Sequence, residues 1–173
     1  FADADVRFGT GKPKILVHEN VPARPLTERE FALGALRKKA LEGQWLRCAQ
    51  RYNYASSFQQ ADGQEWVVVD LLPARMDARV YPLGGFHEFR YSLSSDVPTQ
   101  HFSQTKACLN FTESNPPAAA FVLTHLTSDT PTLFHVFMSL SYGKPLYVST
   151  TRNGLVWEIK NGVVRLIDTT DKK

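Results

Sequence analysis

Apolar and polar positions alternate through most of this chain, with one long interruption near its start. Over residues 28–42 the spacing is helical: Leu33, Leu36 and Ala40, with Leu26 just ahead, fall within one apolar stripe. The stretch "PLTEREF" marks the start of that helix. Thr27 can cap it while Glu30 reaches back to the cap's own amide, and Leu26 and Phe31 have the spacing of a hydrophobic staple. Glu28 and Glu30 lie in the first turn and Arg37, Lys38 and Lys39 further on, so charge complements the helix dipole. Gly43 is a natural stop, which completes an amphipathic helix over 27–43 with its cap and terminator.

After the helix the period becomes two. Residues 45–58 and 65–72 flank "ADGQ", whose Asp-Gly pair supplies the positive φ of a hairpin turn. Strand-like runs follow at 76–81, 86–93, 101–111 and 118–127, divided by "PLGG", "SSDVPTQ" and "ESNPP". Residues 133–141 place Phe134, Val136, Met138 and Leu140 on one face and are predicted as another strand. Runs at 146–150, 155–159 and 163–167, joined by "RNG" and "KNG", form an antiparallel meander. The first 26 residues are punctuated by "GTGKPK" and "VPARP" around one strand-like piece at 15–18, and read as an extended arm laid over the domain.

This pattern predicts an α+β fold in one domain over 1–173: the arm, the N-terminal helix, and an antiparallel β region over 44–170. The helix packs on a curved, mainly antiparallel sheet of about eight strands; a β-barrel or sandwich with an N-terminal helix is the alternative. A parallel α/β fold is disfavoured, because no helical segments separate the predicted strands.

Composition narrows the function classes. The 173 residues are 43% hydrophobic and 21% charged, with a net charge of +3, values of an ordered globular chain. The weak basic balance argues against nucleic acid, which calls for basic residues concentrated on one face. No apolar run approaches the ~18 residues of a membrane span.

Local motifs exclude more chemistry than they suggest. There is no GxSxG elbow and no HExxH pair, and "GTGKP" lacks the phosphate-loop pattern. "DAD" at Asp3 to Asp5 lacks the rest of a calcium loop. The sequence therefore implies no catalytic residue, metal or cofactor. Asp70, Glu65, Glu88 and Glu158 are strand-borne carboxylates whose default role is cross-strand pairing with Arg or Lys. "NFT" at Asn110 matches the glycosylation sequon, which has meaning only in a eukaryotic secretory setting. In "GGFHEFRYSL", His87, Phe89, Tyr91 and Leu93 share an apolar face opposite Glu88 and Arg90, so His87 reads as a histidine at the core's edge. His125 and His135 lie in apolar runs and read the same way.

Cys48 and Cys108 are the two cysteines. Both fall mid-strand in this reading, and Arg47 and Arg51 point away from Cys48, which argues against an activated nucleophile. The expected arrangement is one disulfide, Cys48–Cys108, with two unpaired core thiols as the alternative. A disulfide implies a periplasmic or secreted protein; free thiols would imply the cytoplasm.

The function expected from these features is protein recognition, of the inhibitor, immunity or envelope-assembly type, with no membrane span and no nucleic acid. Trp45, Arg47, Arg51, Tyr52 and Tyr54 are the candidate surface, suited to a partner with an acidic face. The alternative is a small enzyme or small-ligand-binding protein whose pocket gathers His87, His125 and His135. A third reading is a single-stranded nucleic-acid binder, through stacking on Trp45 beside the arginines.

Overall fold

The computed structural model describes residues 2–7, 14–19, 24–61 and 63–167. The chain divides into two compact units, 1–35 and 36–173.

The first unit holds β1 (Ala2–Arg7) and β2 (Lys14–Glu19), antiparallel in a register from Ala2↔Glu19 to Arg7↔Lys14. The strand-like piece at 15–18 is thus one arm of a hairpin. The "GTGKP" segment lies outside the described residues, as does most of "VPARP". The unit ends with the first turns of α1 (Glu28–Glu42), which forms over the predicted range. Its cap is the predicted reciprocal pair: Thr27 N donates to Glu30 Oε2 at 2.8 Å, and Glu30 N donates to Thr27 Oγ1 at 3.2 Å. Arg24 clamps the same carboxylate at 2.6 and 2.8 Å, and with the Thr27 amide it lowers the Glu30 pKa to about 2. Leu26 and Phe31 both remain exposed, so the staple buries little.

The second unit is built on two four-stranded sheets. One has the order β3-β4-β6-β7 and is antiparallel throughout: β3 (Tyr52–Ala61), β4 (Gln64–Pro73), β6 (His87–Ser92) and β7 (Gln100–Ser103). Its first hairpin is the predicted one, closing with Ala61 opposite Gln64 and Gly63 at φ +72°. Asp62 lies outside the described residues. A two-stranded ribbon pairs β5 (Val80–Pro82) with β8 (Asn110–Thr112).

The other sheet has the order β12-β11-β10-β9 and departs from expectation. The run at 133–141 is not a strand but α2 (Leu133–Tyr142). It connects β9 (Phe121–His125) to β10 (Leu146–Thr150), which lie side by side and parallel. A parallel neighbour needs a crossover, and α2 supplies it. Only β11 (Leu155–Lys160) and β12 (Val163–Ile167) continue as the predicted meander. The physical reason is the burial pattern: Phe134, His135, Met138, Ser139 and Tyr142 are buried, a spacing of one helix face, not of alternate strand positions. Thr132 stands at the helix start and Gly143, at φ +62°, at its end.

Among the described residues the architecture is therefore mixed α+β with two helices and mostly antiparallel sheets, and the strands close no barrel. Two layers are buried around β4. On one face α2 joins both sheets: Phe86, Phe134, Met138, Tyr142, Leu146, Val148 and Ile159 form one cluster with Leu72 and Phe121. Phe134 lies near Phe86 and Phe102 at ring distances of 5.4 and 6.4 Å. On the other face Val67, Val69, Leu71, Phe89 and Tyr91 are buried. There the last turns of α1 reach the sheet, as Arg37 stacks over Tyr54 at 4.4 Å and Lys39 pairs with Asp96 at 2.9 Å.

Candidate cleft beside the disulfide loop

The segment 44–51, predicted as strand, does not pair with a sheet. Its side chains are engaged by the end of α1. The Trp45 indole donates to Ala40 O at 2.9 Å, and the Arg47 guanidinium donates to Leu41 O at 2.5 Å. These bonds satisfy carbonyls that the last turn of a helix leaves open. Trp45 also packs on Tyr52 and His87, with ring centroids 4.7 and 4.8 Å away, and Arg47 lies over its ring at 4.3 Å. The Tyr52 hydroxyl accepts the Cys48 amide at 2.8 Å. Of the five residues predicted as a contact surface, Trp45 and Tyr52 are half-buried structural contacts and Arg47 is exposed but tied to α1. Arg51 and Tyr54 remain outward, the latter beneath Arg37.

Cys48 and Cys108 are bonded, with Cα atoms 5.1 Å apart. Both lie in loops and not on strands, so the bridge joins the segment after α1 to the loop between β7 and β8. "PLGG" makes this close approach possible. A Cβ on Gly85, which has φ +82°, would stand 2.5 Å from the Cys48 Cβ, and one on Gly84 would stand 2.5 Å from the Thr105 hydroxyl. The loop is further tied by Gly85 N donating to Thr105 Oγ1 at 3.1 Å, and by Leu83 N and Gly84 N donating to Leu109 O at 2.8 and 3.1 Å.

This stapled loop forms one wall of a cleft of about 550 Å³. Leu83, Leu109, Leu123 and Leu126 supply apolar lining, Gln104, Thr105, Thr124 and Thr127 supply polar groups, and His125 and His135 form its inner end. Lys106 is the one lining residue with a full charge at neutral pH. Leu109 and Leu126 keep 47% and 66% of their surface exposed, a poor arrangement for leucine beside a concavity unless something covers it.

The histidines at the inner end are uncharged near neutrality. Burial, and then the neighbouring His125, push the His135 pKa down to about 3. Burial, and then Arg152, lower that of His125. Their rings meet edge-on at 4.8 Å. His135 occupies the place a Glu takes in a capping box: Thr132 N donates to its Nδ1 at 2.9 Å. A neutral ring has one N–H, so the proton is on Nε2, which lies 3.2 Å from the Gln104 side-chain amide, whose oxygen accepts from Thr132 Oγ1 at 3.0 Å. His125 Nε2 lies 2.7 Å from Ser128 Oγ, whose proton is directed to Thr130 O at 2.5 Å. The ring is therefore the donor to Ser128. A general base would accept from the serine, so this pair is a turn brace and not an activated nucleophile.

His87 does not join them. It is buried on the opposite face of the first sheet, with Nε2 2.9 Å from Leu46 O and Nδ1 3.1 Å from His101 Nε2. Burial lowers its pKa. The predicted convergence of three histidines is thus two, and the pocket lies beside the loop 103–109 and the start of α2. Sequence reasoning missed the loop's contribution. The alternating pattern predicts 101–111 as one strand, and the glycines of "PLGG" are the local signal that could have marked a close approach.

The carboxylates also sort themselves. Asp70 and Glu88 stand directly opposite in the β4–β6 register, but Glu88 is bonded to Arg90 at 2.6 Å, and Asp70 is 6% exposed. Glu88 and Arg90 line a second, more polar cleft of about 440 Å³ whose lining excludes Asp70, so the two acids do not face each other across open space. Glu65 accepts from Gln60, and Glu158 from the Tyr147 hydroxyl. Asp3 and Asp5 lie on β1. Among the described residues no three His, Cys, Asp or Glu side chains gather as a metal site, and no helix is long and apolar enough to cross a membrane. No family model, no curated protein and no solved structure matches this chain.

Proposed function

We propose that this protein binds a small, largely apolar ligand in the cleft beside the disulfide loop, in an oxidising compartment, periplasmic or extracellular. The observation that carries the reading is the cleft itself. Its volume of about 550 Å³ lies in the range of small-molecule sites, and its lining surface is mainly apolar although polar residues stand among the leucines. The Cys48–Cys108 bridge supports both parts of the proposal. Such bonds persist where glutathione does not reduce them, and this one holds the wall of the site in place. Pre-organisation of that kind lowers the entropic cost of binding.

Binding is favoured over catalysis because the polar groups here are committed to structure. His135 caps α2, His125 braces a turn through Ser128, and Gln104 bonds both Thr132 and His135. Recognition of an acidic protein through Arg47, Arg51 and their aromatic neighbours is the weaker reading, since Trp45, Tyr52 and Arg47 are occupied within the fold.

The test is a fluorescence titration with the neutral apolar dye N-phenyl-1-naphthylamine. Saturable binding at one site is expected, abolished by Leu123→Trp, which fills the cleft, and weakened by Leu126→Asp at an exposed position. Absence of binding, or binding that both variants leave unchanged, overturns the assignment.

A further inference from the structure

The cleft's shape and charge specify its ligand more narrowly. Its apolar lining is continuous with solvent through Leu109 and Leu126, the two exposed leucines of the cleft. A ligand that buried them would recover roughly 25 cal/mol for each Å² of apolar surface removed from water. The occupant therefore presents hydrocarbon along this wall.

The charged side of the site is a single residue. Lys106 lies on the exposed part of the disulfide loop, and no ion pair to it is formed among the described residues. No Asp or Glu lines the cleft. The two histidines add no charge near neutrality, and the Nε2–H of His135 is directed to Gln104. A cationic head would thus meet only Lys106 and be repelled. A neutral head would gain nothing from that charge. An anionic head placed at the mouth meets the one complementary charge in the lining.

Building on the reading of this cleft as a ligand site, we propose that it takes a single-chain anionic amphiphile, with the hydrocarbon against Leu83, Leu109, Leu123 and Leu126 and the carboxylate at Lys106. The disulfide has a direct part in this arrangement. Lys106 is two residues from Cys108, so the bridge to Cys48 anchors the backbone of the segment that carries it.

The experiment uses the full disulfide-bonded chain and three probes of equal chain length: dodecanoate, dodecanol and dodecyltrimethylammonium, each below its micellar concentration. Displacement of N-phenyl-1-naphthylamine is the readout. The expected order of affinity is dodecanoate, then dodecanol, then the ammonium. Lys106→Gln, at an exposed position that does not endanger folding, should weaken dodecanoate by about fivefold at low salt and leave dodecanol unchanged. Raising the salt should shrink that difference. Leu126→Asp should weaken dodecanoate and dodecanol alike. Equal affinity for the ammonium and the carboxylate, or no effect of Lys106→Gln on dodecanoate, overturns the head-group assignment. If the dye binds in the cleft and none of the three chains displaces it, the amphiphile proposal fails and the ligand site remains. If the dye itself does not bind, the failure belongs to the ligand-site reading.

Discussion

Replacing Asp70 by Asn should change how the protein's stability depends on pH, because Asp70 is a carboxyl group held where ionisation is unfavourable. It sits in β4 with 6% of its surface exposed, directly opposite Glu88, and its Oδ1 has no hydrogen-bond partner among the described residues. Burial raises its pKa first and Glu88 second, and Arg90 offsets part of this; the result is about 7, against 3.8 for the unperturbed group. In the folded state the group therefore keeps its proton up to about pH 7, while in the unfolded chain it loses it near pH 4. Between those values the folded state binds more protons, so stability falls as pH rises. Its contribution is complete below about pH 4 and is lost as pH passes through 7.

A difference of about 3 pH units corresponds to about 4 kcal/mol. That is a large share of the 5–15 kcal/mol typical of a domain. Asp70→Asn keeps the volume and removes the ionisation. The assay is urea unfolding of both proteins at pH 4 and pH 8, with stability extrapolated to zero denaturant. The variant's advantage over the wild type should grow by about 4 kcal/mol from the lower pH to the higher. A difference between the two proteins that stays constant over this range would refute the reasoning. It would mean that the Asp70 carboxylate is solvated or paired in the folded state after all.

Other consequences of the fold are open to direct measurement. Replacing both cysteines by serine opens a link spanning 60 residues, which in the chain-entropy model is worth about 4 kcal/mol; the urea midpoint should fall accordingly, and reductant should then have no further effect. Met138→Ala deletes a fully buried side chain at the contact of α2 with both sheets, and a loss of about 2–5 kcal/mol is expected from thermal or urea unfolding. A loss under 1 kcal/mol would show that α2 is not packed as described.

Much of the fold was legible in the chain because its signals are local. The capping box at Thr27 and Glu30 satisfies amides within one turn, and α1 forms where that pattern places it. The hairpins closed by Asp-Gly and Asn-Gly depend on the sign of φ at one or two residues, and β3–β4 and β10–β11–β12 form accordingly. The two-face pattern of β6 likewise follows from its alternation: His87, Phe89 and Tyr91 are buried, and Glu88, Arg90 and Ser92 are partly exposed.

What tertiary structure decided lay where two periods fit the same residues. In 133–142 the apolar residues Leu133, Phe134, Val136, Phe137, Met138 and Leu140 fit either period, so the alternation of Phe134, Val136, Met138 and Leu140 was no guide. The choice of helix rests on the caps at Thr132 and Gly143 and on burial between two sheets. That choice makes β9 and β10 parallel neighbours, which no local pattern announces. The cleft follows from the same global arrangement. Its wall comes from a loop tied by Cys108 to Cys48, 60 residues away in sequence, its inner end from β9 and α2, and its charge from one lysine on that loop. The chain by itself determined its turns, caps and faces, because each is settled within a few residues. Which faces met, and so which histidines shared a pocket, depended on contacts between segments far apart in sequence, where only packing selects the partner.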